Sequence, residues 1–476
     1  MEGCYHRWMR RTLVVAVAML VFGCSETVVS PGEAPDVTPD CAEDRLVGGL
    51  CVGLPAASAC RAEPWVDVDC ANVLSADAGN YEAVIAGALA GDCVDLASGM
   101  YGAVNVPPGV SLMGRGAECV ELAAATVDGG SNMVLRGMTV TSGGVHIFNA
   151  SGVLVEQVRV RGAMQDGLEL VDVEVTVRRS EILASKRYAI SSFADNALVI
   201  EGVLVEANEG PGLWHQAADD CGELASREVR LKGVAFRGNH LVALALHRAI
   251  ATLEAVEIVD TLVGENYQAG EGLAANCSSL HAMGLRSANN ASRGVFVEGG
   301  MVELMAASTM PLEIAGNLIG IEVRSRGSDF EEFRLSGATV SGNDGIGLLF
   351  GSGTRAAVID TSIAATTTIV LPVLSNGVSA GAEPVGDGLL WKSGAVVTLE
   401  AMSLSGSSRA SMLIDGAVGE GSWLGNIDLS GGDEQKGIVH QNVDPDETKP
   451  ALGDGVPTIT TTSEEIYSVP DFTPPP

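Results

Sequence analysis

An apolar signature, Φ-x-Φ-x-x-Φ-x-Φ in its fullest form, returns along most of this chain at a step of about 22 residues, the length of one turn of a parallel β-solenoid. Val153-Leu154-Val155-Glu156-Gln157-Val158-Arg159-Val160 is its clearest copy. Its third position recurs at Leu135, Val155, Val177, Ile200, Leu231, Leu253, Leu280, Leu304, Leu335, Val358 and Leu399. A second repeat, glycine before apolar residues, runs out of phase with it, as in Gly167-Leu168, Gly212-Leu213-Trp214, Gly294-Val295-Phe296 and Gly388-Leu389-Leu390. Each coil therefore holds at least two short strands. Asn208, Asn239 and Asn343 follow Val205, Phe236 and Val340 and are expected in tight turns, tolerating left-handed backbone and stacking amides on the next coil. About 13 rungs at about 4.8 Å predict a column on the order of 60 Å long. A β-propeller is the structural alternative, but its blades need about 40 residues, nearly twice this period.

The N-terminus reads as an address. Arg7, Arg10 and Arg11 precede the apolar run from Leu13 to Phe22, which is too short to span a bilayer but suits the core of a signal peptide. The run ends Leu20-Val21-Phe22-Gly23-Cys24-Ser25, which resembles a bacterial lipobox. The resemblance implies cleavage after residue 23 and a lipid anchor on Cys24, and Ser25 in place of Asp implies passage to the outer membrane. Loss of residues 1–23 removes Glu2 and three arginines, moving the formal charge from −32 to −34. A field of that sign excludes nucleic acid as a partner and favours neutral glycans, cations or basic proteins.

Eight cysteines remain once Cys4 and Cys24 are set aside: Cys41, Cys51, Cys60, Cys70, Cys93, Cys119, Cys221 and Cys277. An even count in an exported chain reads as disulfides. Asp92-Cys93-Val94-Asp95-Leu96 and Glu118-Cys119-Val120-Glu121-Leu122 are near copies, so Cys93 and Cys119 are expected above one another and bridged. Cys41, Cys51, Cys60 and Cys70 are expected to pair among themselves. The predicted organisation is a signal peptide over 1–23, a Pro-rich tether over 24–40, a cysteine-rich collar over 41–80, the solenoid with its N-terminal cap over 81–442, and a Pro-rich tail over 443–476.

Tyr81 to Asp92 reads as a short amphipathic helix, and Cys93-Val94-Asp95-Leu96-Ala97-Ser98-Gly99-Met100-Tyr101 and Val110-Ser111-Leu112-Met113-Gly114-Arg115-Gly116 follow it. This opening resembles that of the pectin-lyase-like class, and the resemblance implies an all-β, right-handed parallel β-helix over about three quarters of the chain. It also implies where chemistry would lie. Hydrolases of the class carry stacked aspartates with Gly-His-Gly and Arg-x-Lys, and no such set is complete here.

Three intervals are too long for one plain coil: Ile200 to Leu231 and Leu304 to Leu335, each of 31 residues, and Val358 to Leu399, of 41. Insertions of this kind build the working face of repeat proteins. The last could also hide a degenerate coil around Thr367 to Leu374. The first holds Trp214-His215-Gln216-Ala217-Ala218-Asp219-Asp220-Cys221. Trp214 and His215 are candidate ligand-binding residues, and Asp219 and Asp220 are candidate calcium-holding or acid groups. Lys186 and Arg187 are conceivable bases, though a usable pKa would require burial or a close cation. His240, His247 and His281 fall on separate coils and read as scattered surface residues, with no confident metal site among them. The expected function is that of a lipid-anchored envelope protein scaffolding a glycan or an envelope protein. An extracellular polysaccharide lyase or hydrolase, with Ca2+ as an optional cofactor, is the alternative, and a subunit of a surface assembly is a third.

Overall fold

The computed structural model describes residues 43–55, 60, 61, 65, 68–217, 226–264, 269–326, 331–368, 386–429, 437–444, 446–464 and 467. The expected signal peptide, Cys24, the tether, Cys41, Asp219, Asp220 and Cys221 lie outside these residues.

Each coil has three sides. In one turn they are the strands Ala197–Glu201, Leu204–Glu206 and Leu213–Gln216. Along the first side one column stays in parallel register from Leu74 through Val94, Leu112 and Leu135 to Val155. It continues through Val177, Ile200, Leu231 and Leu253 and ends through Leu335, Val358, Leu399 and Leu424 at Leu452. The architecture is a right-handed parallel β-helix, and its ladder runs past the expected limits of 81 and 442 at both ends. The cap helix Tyr81–Gly87 lies between the first two strands of this column.

The two unspecified positions inside the signature are a corner. Gln157 has φ 52°, so the strand turns there and Val155 and Val158, three residues apart, both face inward at 2% and 1% exposure. The second corner departs from expectation in one respect. Left-handed backbone belongs to the residue before each asparagine, with Ala207 at φ 54°, Gly238 at 57° and Gly342 at 60°. Asn208, Asn239 and Asn343 are buried, and their side chains work between rungs. Asn208 Nδ2 donates to Asn239 Oδ1 at 2.7 Å, and Asn290 and Asn317, missed from the sequence, join Asn343 at 3.0 and 3.2 Å. Buried amides paired in this way lose little on leaving water.

One register was misread. Leu253 pairs with Ala282, not Leu280, and Ala282 pairs with Leu304. Alanine hides the signature there, and a fourth long coil results, its extra residues lying between Val259 and Glu271. In the 41-residue interval Val358 pairs directly with Leu399 and Leu348 with Leu389, so no degenerate coil intervenes.

The collar is not a separate knot. Cys60 bonds Cys119 and Cys70 bonds Cys93, with Cα separations of 5.6 Å in both. The expected Cys93–Cys119 bridge fails because the two stand on different sides of the coil: Cys93 is in register with Ser111, whereas Val120, next to Cys119, is in register with Gly99. Cys51 and Cys277 are also disulfide-bonded. Residues 43–55 form a strap whose strands Leu46–Val47 and Leu50–Cys51 pair antiparallel. Its Val47 and Val52 bury the outward-facing Leu204 and Ala235 on the column's flank.

Candidate functional site

On the third side of the coil, inward and outward positions alternate along each strand as the pleat requires. Leu213, Leu244, Leu273 and Val295 stack inward in register. The next residue on each strand faces out, giving the outer column Trp214, Ala245, Ala274, Phe296. Two alanines between two aromatics leave a trough. Trp214 and Phe296 stand three rungs apart, about 14 Å along the column, and Val242, Ala245 and Ala274 form an apolar floor against which both rings pack.

This groove has a volume of 640 Å³, within the range of ligand sites. Trp214 donates from Nε1 to Gln216 Oε1 at 3.1 Å and its ring lies 6.1 Å from that of Tyr188, so the indole is held in one orientation. Gln216, His247 and Asn276, on successive rungs, supply a polar wall. Among the described residues, Lys186, Arg187, Glu209 and Glu271 are the charged lining residues, two of each sign, and each has a counter-ion. Lys186 pairs with Glu209, Arg187 Nε stands 3.7 Å from Asp166, and Glu271 accepts from Arg293 Nη1 at 2.6 Å.

Phe296 closes one end. The guanidinium of Arg293 lies 4.8 Å from its ring centroid and that of Arg324 5.4 Å, and Glu322 ties the two arginines together. Beyond this barrier the outward positions Ile346, Leu349 and Leu390 are at most 2% exposed, and Leu318 and Tyr467 pack against them. Burial pushes the Glu271 carboxyl up, against the pull of Arg293.

The structure brings together Trp214, Lys186 and Arg187, which the sequence singled out, and adds Tyr188, Glu271 and Phe296. Phe296 was visible only as an apolar residue after Gly294. It is informative once register places it in the Trp214 column. His215 is corrected. One position on from Trp214, it points into the column, is 0% exposed and hydrogen-bonds the Ser192 hydroxyl at 2.9 Å, out of reach of a ligand on the outer face. His247 lines the groove, and His281 pairs with Glu303 at 3.0 Å on another side. Among the described residues no group of three or more His, Cys, Asp or Glu side chains is arranged to hold a metal ion.

No family model matches the chain, and no curated protein matches it. Solved structures of similar fold include the A-module of the mannuronan C-5 epimerase AlgE4 from Azotobacter vinelandii, at 14% identity over 79% of this chain and 95% of that one, with a TM-score of 0.34. The catalytic unit of a thermostable GH87 α-1,3-glucanase from Streptomyces thermodiastaticus strain HF3-3 is similar at 14% identity over 80% and 72%, with a TM-score of 0.44. The Agl-KA catalytic domain is similar at 11% identity over 86% and 70%, with a TM-score of 0.33. At these identities the likeness concerns the fold alone.

Proposed function

We propose that this chain is a lipid-anchored protein of the bacterial cell envelope, held at the outer membrane through Cys24, whose β-helix binds saccharide in the groove between Trp214 and Phe296. One observation carries the reading: two aromatic rings flank an alanine-floored trough with a wall of hydrogen-bonding amide and imidazole side chains. Sugar rings present apolar faces and hydroxyl edges, and a site with an apolar floor and few polar groups suits them. Binding without cleavage is favoured because the charged lining residues are engaged in ion pairs rather than poised as an opposed acid and base.

A second reading, cleavage, draws on Glu271, a carboxyl whose pKa burial raises as general acids require. Both are tested by incubating the purified protein with neutral and acidic polysaccharides, with and without calcium. Retention on neutral glycans, with neither new reducing ends nor unsaturated products, is the expected result. Trp214→Ala should weaken that retention about tenfold or more, the effect of losing one central aromatic anchor. Product formed by the parent and lost in Glu271→Gln would establish the second reading.

A further inference from the structure

We infer that the groove recognises the end of a neutral glycan chain rather than its interior, because the trough that begins at Trp214 is blind at Phe296. The inference rests on the saccharide reading and deepens it. A ligand lying over the floor of Ala245 and Ala274 runs along the column axis, since those residues stack in register. At Phe296 its path meets the ring, the Arg293 and Arg324 guanidiniums and the Glu322 carboxylate that joins them. The next outward positions cannot continue the trough, because Ile319, Ile346 and Leu349 are buried. A chain threaded from its middle would need an exit there.

The charge of the ligand follows from the same geometry. Lys186 pairs with Glu209, Arg187 with Asp166 and Glu271 with Arg293, so among the described residues each lining lysine or arginine already has a carboxylate and none is left over to meet a uronate or sulfate. The chain as a whole carries a formal net charge of −32, which disfavours an anionic ligand. Gln216, His247 and Asn276 offer hydrogen bonds to hydroxyl or amide groups along the trough.

The test compares linear glucose and N-acetylglucosamine oligomers of graded length with ring-closed glucose oligomers, reading affinity and stoichiometry by titration calorimetry. Linear chains should gain affinity until they reach from Trp214 to Phe296 and then bind one protein per chain however long they grow. Ring-closed oligomers should bind at least about tenfold more weakly. Ala274→Trp, which fills the floor, should abolish binding of the linear chains while leaving the thermal midpoint unchanged. Equal affinity for ring-closed oligomers, or a number of bound proteins that rises with chain length, would overturn end recognition and leave saccharide binding in the groove standing, whereas undiminished binding by the folded Ala274→Trp protein would place the saccharide outside the groove and overturn both. Failure of every oligomer, linear or closed, to bind would remove the saccharide reading and this inference with it.

Discussion

His215 is where the cost of a misplaced polar residue is easiest to measure. Its ring sits in an inward column between Ser192 and Leu246, its Nδ1 meets the Ser192 hydroxyl, and its Nε2 is buried with no hydrogen-bond partner among the described residues. Burial lowers its pKa from 6.5 to about 4, with Asp195 opposing. The folded state therefore binds this proton more weakly than the unfolded chain, so stability is complete above pH 6.5 and is lost as pH falls toward 4. The loss amounts to about 3 kcal/mol. His215→Leu should flatten that part of the stability curve in denaturant titrations at several pH values, leaving the smaller contribution of His440, which burial also lowers. An unchanged acid slope would show that the imidazole is not the titrating group. The sequence marked this histidine as a site residue because it stood beside Trp214, yet strand alternation sends neighbours to opposite faces.

The strap shows how an element can be unreadable although its residues are plain. Nothing in Leu46–Cys51 states that it lies across coils far along the chain, but the corner column accommodates it with small residues. A Cβ on Gly48 would come within 2.4 Å of the Ala255 Cβ, and one on Gly233 within 2.8 Å of Leu50. Gly48 also has φ 56°, which an L side chain adopts only under strain. Polar contacts fix the register. The 1%-exposed Glu181 side chain takes Arg45 and Arg159 as ion-pair partners and accepts from Leu54 N at 3.2 Å. Gly53 N bonds Gly202 O at 2.9 Å. Burial alone would raise the Glu181 pKa, but the bonds from Arg159 and Arg45 outweigh it and lower the pKa. Its contribution is therefore present above the unfolded carboxyl pKa and lost as pH falls through the folded value. Gly48→Val and Glu181→Gln should each lift the strap. Hydrogen exchange at the Gly53 amide should accelerate by a factor equivalent to about 1–3 kcal/mol while core amides such as Leu253 keep their protection. Equal acceleration at both sites would mean that the strap and column unfold together.

At the scale of the whole molecule, the periodic signature was enough to specify the β-helix because a column buries what the chain repeats, whereas the clips that join collar to column obey no period. The Cys93 and Cys119 segments look alike in sequence, but they fall on different sides of the coil, so likeness did not imply stacking. The groove was half legible for a related reason: it is made of outward positions from four rungs, and only register aligns Trp214 with Phe296. In a solenoid each rung leans mainly on its neighbours, so stability spreads from unit to unit. The cap end is the part most dependent on covalent help. Cys60–Cys119 closes a loop of 59 residues and Cys70–Cys93 one of 23, which chain-entropy arguments value at about 4 and about 3 kcal/mol respectively. Between these clips Trp65 donates to Gly114 O at 2.8 Å and its ring is flanked by Arg61 and Arg136 at 3.9 and 4.7 Å. Replacing Cys60 and Cys119 by serine should therefore lower protection at Val94 and Leu112, near the cap, by about 3–4 kcal/mol. Leu304 and Leu335, many rungs away, should keep theirs, and glycan retention by the Trp214 groove should persist. Uniform loss along the column would show that the rungs unfold as one cooperative block, and the clips would then govern binding as well as the cap.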